Sequence, residues 1–215
     1  MENKPDMNLL DVVRGKVLSR IQLPTNIVMG GNHRTNLFQH YQTPKEIVEF
    51  LDVVYSMPED RRQVALEIGL YNGGTHLLWK QYYSKVVSIE VELERCIAVY
   101  NSIPDSKNSW FIVGDSTNQQ TIEQTKIVTG LVDLLFIDAC HSLVACQSDW
   151  YSFEPIVKSG GIVAFHDIEC KIDGYGVRDF VTLMRNGGVA NFDPKTKINE
   201  IYYGNEQGIG WYVKP

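Results

Sequence analysis

Apolar positions along this chain fall into short unbroken runs, separated by stretches where they recur every three or four residues. The runs at 63–68, 85–90, 110–113, 131–138 and 162–165 predict strands, and the spaced patterns at 75–83, 92–100, 117–126 and 143–157 predict helices. Runs of Val, Ile and Leu without alternation suit parallel strands covered on both faces. Strand and helix in strict alternation predict a doubly wound α/β sheet. A helix at 176–186 then precedes two further strands, 198–203 and 209–213, joined by a glycine-flanked turn. These read as a C-terminal antiparallel hairpin, which completes a mostly parallel seven-stranded sheet. Upstream, Thr43-Pro44-Lys45-Glu46 has the composition of a helix start, with Ile47, Phe50, Leu51 and Val54 facing the core. Residues 44–215 are therefore expected to form one domain. Residues 1–43, with a short helix at 8–19 and a loop at 27–41, read as an N-terminal extension, a lid or a dimer-building element.

Composition narrows the function. The 215 residues suffice for one substantial core, and 44% hydrophobic with 21% charged residues describes a globular protein. A formal charge of -6 weighs against nucleic acid or an anionic membrane as partner. The four cysteines show no C-x-x-C spacing and read as reduced thiols. With a polar start and no long apolar run, the expected location is cytoplasmic.

The most informative segment is Val64-Ala-Leu-Glu-Ile-Gly-Leu-Tyr-Asn-Gly-Gly-Thr75. It reads as a strand, a tight glycine turn and a helix start, which holds a nucleotide-like ligand at the edge of a parallel sheet. Its spacing is Glu-x-Gly-x-x-x-Gly and not Gly-x-Gly-x-x-Gly. An acidic residue beside the turn suits a cationic or hydroxyl-rich ligand better than a bare pyrophosphate. The later strands also end in polar groups: Glu90, then Asp115-Ser116, then Asp138, then His166-Asp167. Glu90 is placed to accept from ribose hydroxyls, and Asp115 with Ser116 to reach a base.

This ordered set resembles the class I S-adenosylmethionine-dependent methyltransferases over roughly residues 44–215. The resemblance implies that S-adenosylmethionine is the cofactor. It implies contacts at Glu67 near the methionine end, at Gly69, Tyr71, Asn72, Gly73 and Thr75 in the turn, at Glu90 on the ribose, at Asp115 and Ser116 near adenine, and at Asp138. A narrower resemblance, to cephalosporin-hydroxylase-like and macrolide-sugar O-methyltransferase-like proteins, rests on Phe136-Ile-Asp-Ala-Cys-His141, Asp149, Ser159-Gly-Gly-Ile-Val-Ala-Phe-His-Asp167 and Gly176-Val-Arg-Asp-Phe180. In metal-using relatives, acidic residues at the matching places bind a divalent cation. Here the ligand set would be Asp138, His166 and Asp167, for magnesium or manganese. His166 stands where an acidic residue is usual, and its nitrogen suits manganese, iron or zinc better than magnesium.

His141 is the candidate general base, with Asp138 beside it and His166 as the rival. The implied reaction is methyl transfer to a hydroxyl of a sugar, glycan or small secondary metabolite. Two other readings stand beside it: a catalytically inactive S-adenosylmethionine-binding protein, and a nicotinamide-dependent oxidoreductase, which should favour the glycine spacing this chain lacks. Homodimerisation through the N-terminal extension is a further expectation.

Overall fold

A computed structural model describes residues 42–103, 106–204 and 207–215; the segment 8–19, the loop 27–41, His33 and His40 lie outside the described residues. The first element, α1 (Pro44–Ser56), opens where expected. The Thr43 backbone N–H donates to Glu46 Oε1 at 2.7 Å, closing the first turn. Strand and helix then alternate through β1 (Val64–Ile68), α2 (Gly74–Tyr82), β2 (Lys85–Glu90), α3 (Leu93–Ser102), β3 (Ser109–Val113), α4 (Gln119–Thr129), β4 (Val132–Ile137), α5 (Leu143–Phe153), β5 (Val157–His166) and α6 (Val177–Arg185). The chain closes with β6 (Asn199–Ile201) and β7 (Ile209–Val213).

The seven strands lie in the order β3-β2-β1-β4-β5-β7-β6. β1 to β5 are parallel, and β7 enters antiparallel between β5 and β6. Residues alternate between the two faces of the sheet. Leu66, Ile68, Val87 and Ile89 join Trp150, Phe153, Phe180 and Met184 in one core layer. Ala65, Val86, Leu134 and Phe136 join Phe50, Leu51, Leu78 and Trp79 in the other. Burying each of these large side chains stabilises the fold by roughly 1.5–3 kcal/mol, which is why the unalternated runs specify a covered sheet.

One boundary differs from expectation. The helix read as 143–157 stops at Phe153, and a 3-10 turn over Glu154–Ile156 follows. Pro155 has no N–H to give, and its ring opposes the carbonyl four residues earlier. β5 consequently begins at Val157, with Gly160 at φ +80° inside it, instead of at 162. Trp150 lies in the core and donates from Nε1 to Tyr212 Oη at 2.8 Å. All four cysteines are free. Among the described residues, no helix is long and apolar enough to cross a membrane.

Candidate active site

The strand order reverses between β1 and β4, and such a switch point leaves a crevice beyond the carboxyl ends of the strands. A cavity of about 740 Å³ occupies that place. Its floor is the turn after β1. Gly69 has φ +96°, and a Cβ built there would overlap the carbonyl oxygen of Asp138 across the switch point. The turn can lie this close to β4 only because residue 69 has no side chain. Gly69 N–H donates to Ile89 O at 3.0 Å and Asp138 N–H to Ile68 O at 2.9 Å, so the ladder continues into both loops.

Glu90 is held at the cavity wall by two backbone donors. Tyr71 N–H binds Oε2 at 2.8 Å and Glu92 N–H binds Oε1 at 3.1 Å. Each carboxylate oxygen keeps further acceptor capacity for a ligand hydroxyl. Asp115 Oδ1 accepts from Thr117 N–H at 2.8 Å and Thr117 Oγ1 at 2.7 Å, which lowers its pKa. Gly69, Tyr71, Thr75, Glu90, Asp115, Ser116 and Asp138 all line the cavity.

Glu67, Asn72 and Gly73 are not among the lining residues. Gly73, at φ +75°, caps α2 and packs against Val99 on α3. Glu67 is fully buried on the α1–α2 side of the sheet and accepts from Ser88 Oγ at 2.6 Å. Burial pushes its carboxyl up to about 8, against the opposing Ser88 bond. The group is thus protonated at neutral pH in the folded chain and ionised when unfolded. Its folded pKa is raised, so the stability it confers is full below about pH 4.5 and is lost as pH climbs towards 8. Apo-protein stability is expected to fall by up to about 1.4 kcal/mol per pH unit across that window from this group. Urea titrations from pH 5 to 8 should show that slope in the native chain and a flatter one in Glu67→Gln.

The far end of the cavity gathers the acids and histidines of the β4 and β5 ends. His141 Nε2 lies 2.9 Å from Asp167 Oδ2 and 3.7 Å from Asp138 Oδ1. His166 Nδ1 lies 3.3 Å from each of Asp138 Oδ1 and Asp167 Oδ2, and Gln42 Nε2 donates to Asp138 Oδ2 at 2.6 Å. Burial alone would raise the Asp138 carboxyl, but the facing His166 and His141 outweigh it and hold it well below the usual carboxylate range. Burial likewise works against protonated His141, yet Asp138 and Asp167 push it up to about 9. Asp167 itself sits at φ +62°, a left-handed conformation that Asp tolerates better than most residues. Asp138, His141 and Asp167 each bring one donor atom within 4.8 Å of the others, a spacing that fits a metal ion.

The two histidines differ in access. His141 is 30% exposed, and its ring stacks on Tyr175 with centroids 4.4 Å apart and 3° between planes. The Gly176 N–H binds the His141 carbonyl at 2.7 Å, tying that loop to the start of α6. His166 is 2% exposed, with Nε2 on Glu46 at 3.2 Å. Two residues of this site escape a reading of the sequence. Glu46 looks like a helix cap alone, and Gln42 falls in the N-terminal extension. Asp149, which carries part of the narrower resemblance, is buried on α5, where burial pushes its carboxyl up to about 6 against a hydrogen bond from Ser116.

Comparison with known proteins bears on this geometry. A family model described as a methyltransferase domain matches residues 66–168, the stretch from β1 to the loop after β5. An O-methyltransferase from Bacillus cereus, in complex with SAH, is similar in structure with a TM-score of 0.61 at 15% identity, over 99% of this chain and 93% of that one. The fold is that of the class I methyltransferases. The same fold relates the chain to an rRNA methylase from Streptococcus thermophilus, with a TM-score of 0.60 and 12% identity over 79% of this chain and 96% of that one. MycE, a methyltransferase from the mycinamycin biosynthetic pathway, in complex with Mg and SAH, gives 0.57 at 16% identity over 78% of this chain. The chain spans about half the length of MycE, 49%. No curated protein matches the sequence. Within the methyltransferase fold, Gly69 and Glu90 stand on the first two strand ends and Asp138 on the fourth.

Proposed function

We propose that this chain is an S-adenosylmethionine-dependent O-methyltransferase acting on a hydroxyl of a sugar, a glycan or a small secondary metabolite in the cytoplasm. The observation that carries the reading is a partly exposed histidine, His141, paired with Asp167 at one end of a cavity whose other end presents the braced Glu90 carboxylate. Support for a small-molecule acceptor comes from similar MycE, a methyltransferase from the mycinamycin biosynthetic pathway seen in complex with Mg, SAH and mycinamycin VI.

Bound S-adenosylmethionine supplies the methyl group on a sulfonium that needs little activation. The chain's own task is alignment and proton removal. Glu90 would accept from the ribose hydroxyls, and the Gly69 turn would lie under the ligand. Asp167 holds His141 through Nε2, so Nδ1 is the nitrogen that takes the acceptor's proton once the ring, pushed up to about 9 by Asp138 and Asp167, has lost its own. Tyr175 keeps that ring flat against the cavity wall. A divalent cation would be held by Asp138 and Asp167 with a histidine; it would polarise the acceptor oxygen and satisfy the carboxylates that keep His141 protonated. The buried, doubly engaged His166 is a poorer base than His141, since neither ring nitrogen faces open space.

Glu90→Gln tests the cofactor half of this reading. One hydrogen bond to a charged group is worth about 1.5–3 kcal/mol. S-adenosylhomocysteine affinity measured by calorimetry is therefore expected to fall roughly 10- to 100-fold. Unchanged affinity would remove Glu90 from the ribose site.

A further inference from the structure

Asp149 is 1% exposed and belongs, with Cys146, Trp150 and Phe153, to the buried residues of α5. A carboxylate so placed needs a hydrogen-bond donor. Ser116 supplies it from the loop between β3 and α4, where α4 packs on α5. Among the described residues, no other donor comes within hydrogen-bond distance of either Asp149 oxygen. Ser116 also lines the cavity, whereas Asp149 does not. The serine therefore stands between a buried acid and the ligand space. Its neighbour Asp115 is exposed, and Oδ1 of that residue already accepts from both the Thr117 N–H and Thr117 Oγ1. Water competes at Asp115, so that carboxylate discriminates weakly between ligands.

A serine hydroxyl has one proton and two lone pairs. An ionised carboxylate only accepts, and a bond to it is stronger than one to a neutral acceptor. With its pKa pushed up to about 6, the Asp149 carboxyl is still mostly ionised at neutral pH. It claims the Ser116 proton, and the oxygen is left to the cavity as an acceptor. Adenine carries one strong donor on its ring edge, the exocyclic 6-amine. In a 6-oxo purine that position is an acceptor, and two sets of lone pairs would oppose each other.

We propose that Asp149 is a positioning residue for the cofactor base: it fixes the Ser116 hydroxyl so that the site selects a 6-amino purine over a 6-oxo purine. The inference rests on the methyltransferase reading for the identity of the ligand. It goes beyond that reading in giving base selectivity to a buried residue that does not reach the cavity.

The experiment is calorimetric titration at neutral pH with S-adenosylhomocysteine and with its deaminated analogue, S-inosylhomocysteine. The native chain is expected to prefer the adenosyl form about 100-fold. Asp149→Asn keeps the shape but offers Ser116 a donor amide, which frees the serine proton to meet a 6-oxo group. The preference should fall about tenfold or more in that variant, and similarly in Ser116→Ala, which removes the acceptor. A merely structural role for Asp149 would weaken both ligands equally and leave the ratio untouched. Equal affinities in the native chain, or an unchanged ratio in a folded Asp149→Asn, would overturn the proposal. Should Asp149→Asn fail to fold, Ser116→Ala decides, because Asp149 acts only through that hydroxyl; an unchanged ratio there overturns the proposal too. Binding of neither ligand to the folded native chain would fall on the methyltransferase reading instead.

Discussion

His141→Ala is expected to lower the rate of methyl transfer roughly 10²- to 10⁴-fold, the usual contribution of a positioned general base. Binding of S-adenosylhomocysteine should change little, because the proposed arrangement puts the acceptor at the His141 end of the cavity and the cofactor at the end of Glu90 and Gly69. The size of the effect follows from how firmly the ring is held. Asp167 fixes Nε2 at 2.9 Å, Tyr175 covers one face, and the Gly176 N–H holds the backbone at 2.7 Å. An imidazole so restrained carries no orientational freedom into the reaction, and alanine removes both the base and its alignment. The check is mass-spectrometric transfer from S-adenosylmethionine to a panel of hydroxylated sugars and phenols, run beside calorimetry. A variant that transfers methyl groups at the native rate would remove His141 from the chemistry and leave the transfer to alignment alone.

Gly69→Ala should abolish cofactor binding and destabilise the fold. Its φ of +96° disfavours any side chain, and a Cβ at this position would overlap the Asp138 carbonyl oxygen. Backbone strain of about 1–3 kcal/mol and overpacking of about 1–3 kcal/mol act together. The neighbouring atom is backbone, so relief requires the turn to separate from β4. That movement would also shift Asp138 and the Tyr71 N–H that braces Glu90. A loss of S-adenosylhomocysteine affinity of at least about 100-fold is expected, with a clear fall in the urea midpoint. Native affinity in a folded Gly69→Ala would mean that the turn does not lie against the ligand.

The sheet is legible in the sequence because its information is local. Unbroken Val, Ile and Leu runs mark buried parallel strands, and the glycines mark the turn at the switch point. The β5 start is not legible, because the pattern continues past Phe153 and only Pro155 stops it. The same division runs through the site. Asp138, His141, His166 and Asp167 sit at strand ends and announce themselves. Glu46 does not: three residues after Thr43 it satisfies a helix-start pattern, and its meeting with His166 is 120 residues away in sequence. Gln42 reaches Asp138 across 96 residues for the same reason. Glu67 illustrates the converse. Its place in the motif suggests a ligand contact, yet strand alternation turns the side chain to the buried α1–α2 side of the sheet, where it pairs with Ser88. Short-range pattern gives the elements and the polar strand ends, and packing between distant elements decides which of those groups meet.

The most direct test is calorimetric titration of the folded chain with S-adenosylhomocysteine. Saturable binding near one site per chain is the predicted result. No binding in protein shown to be folded, with binding of a nicotinamide cofactor in its place, would contradict the methyltransferase reading.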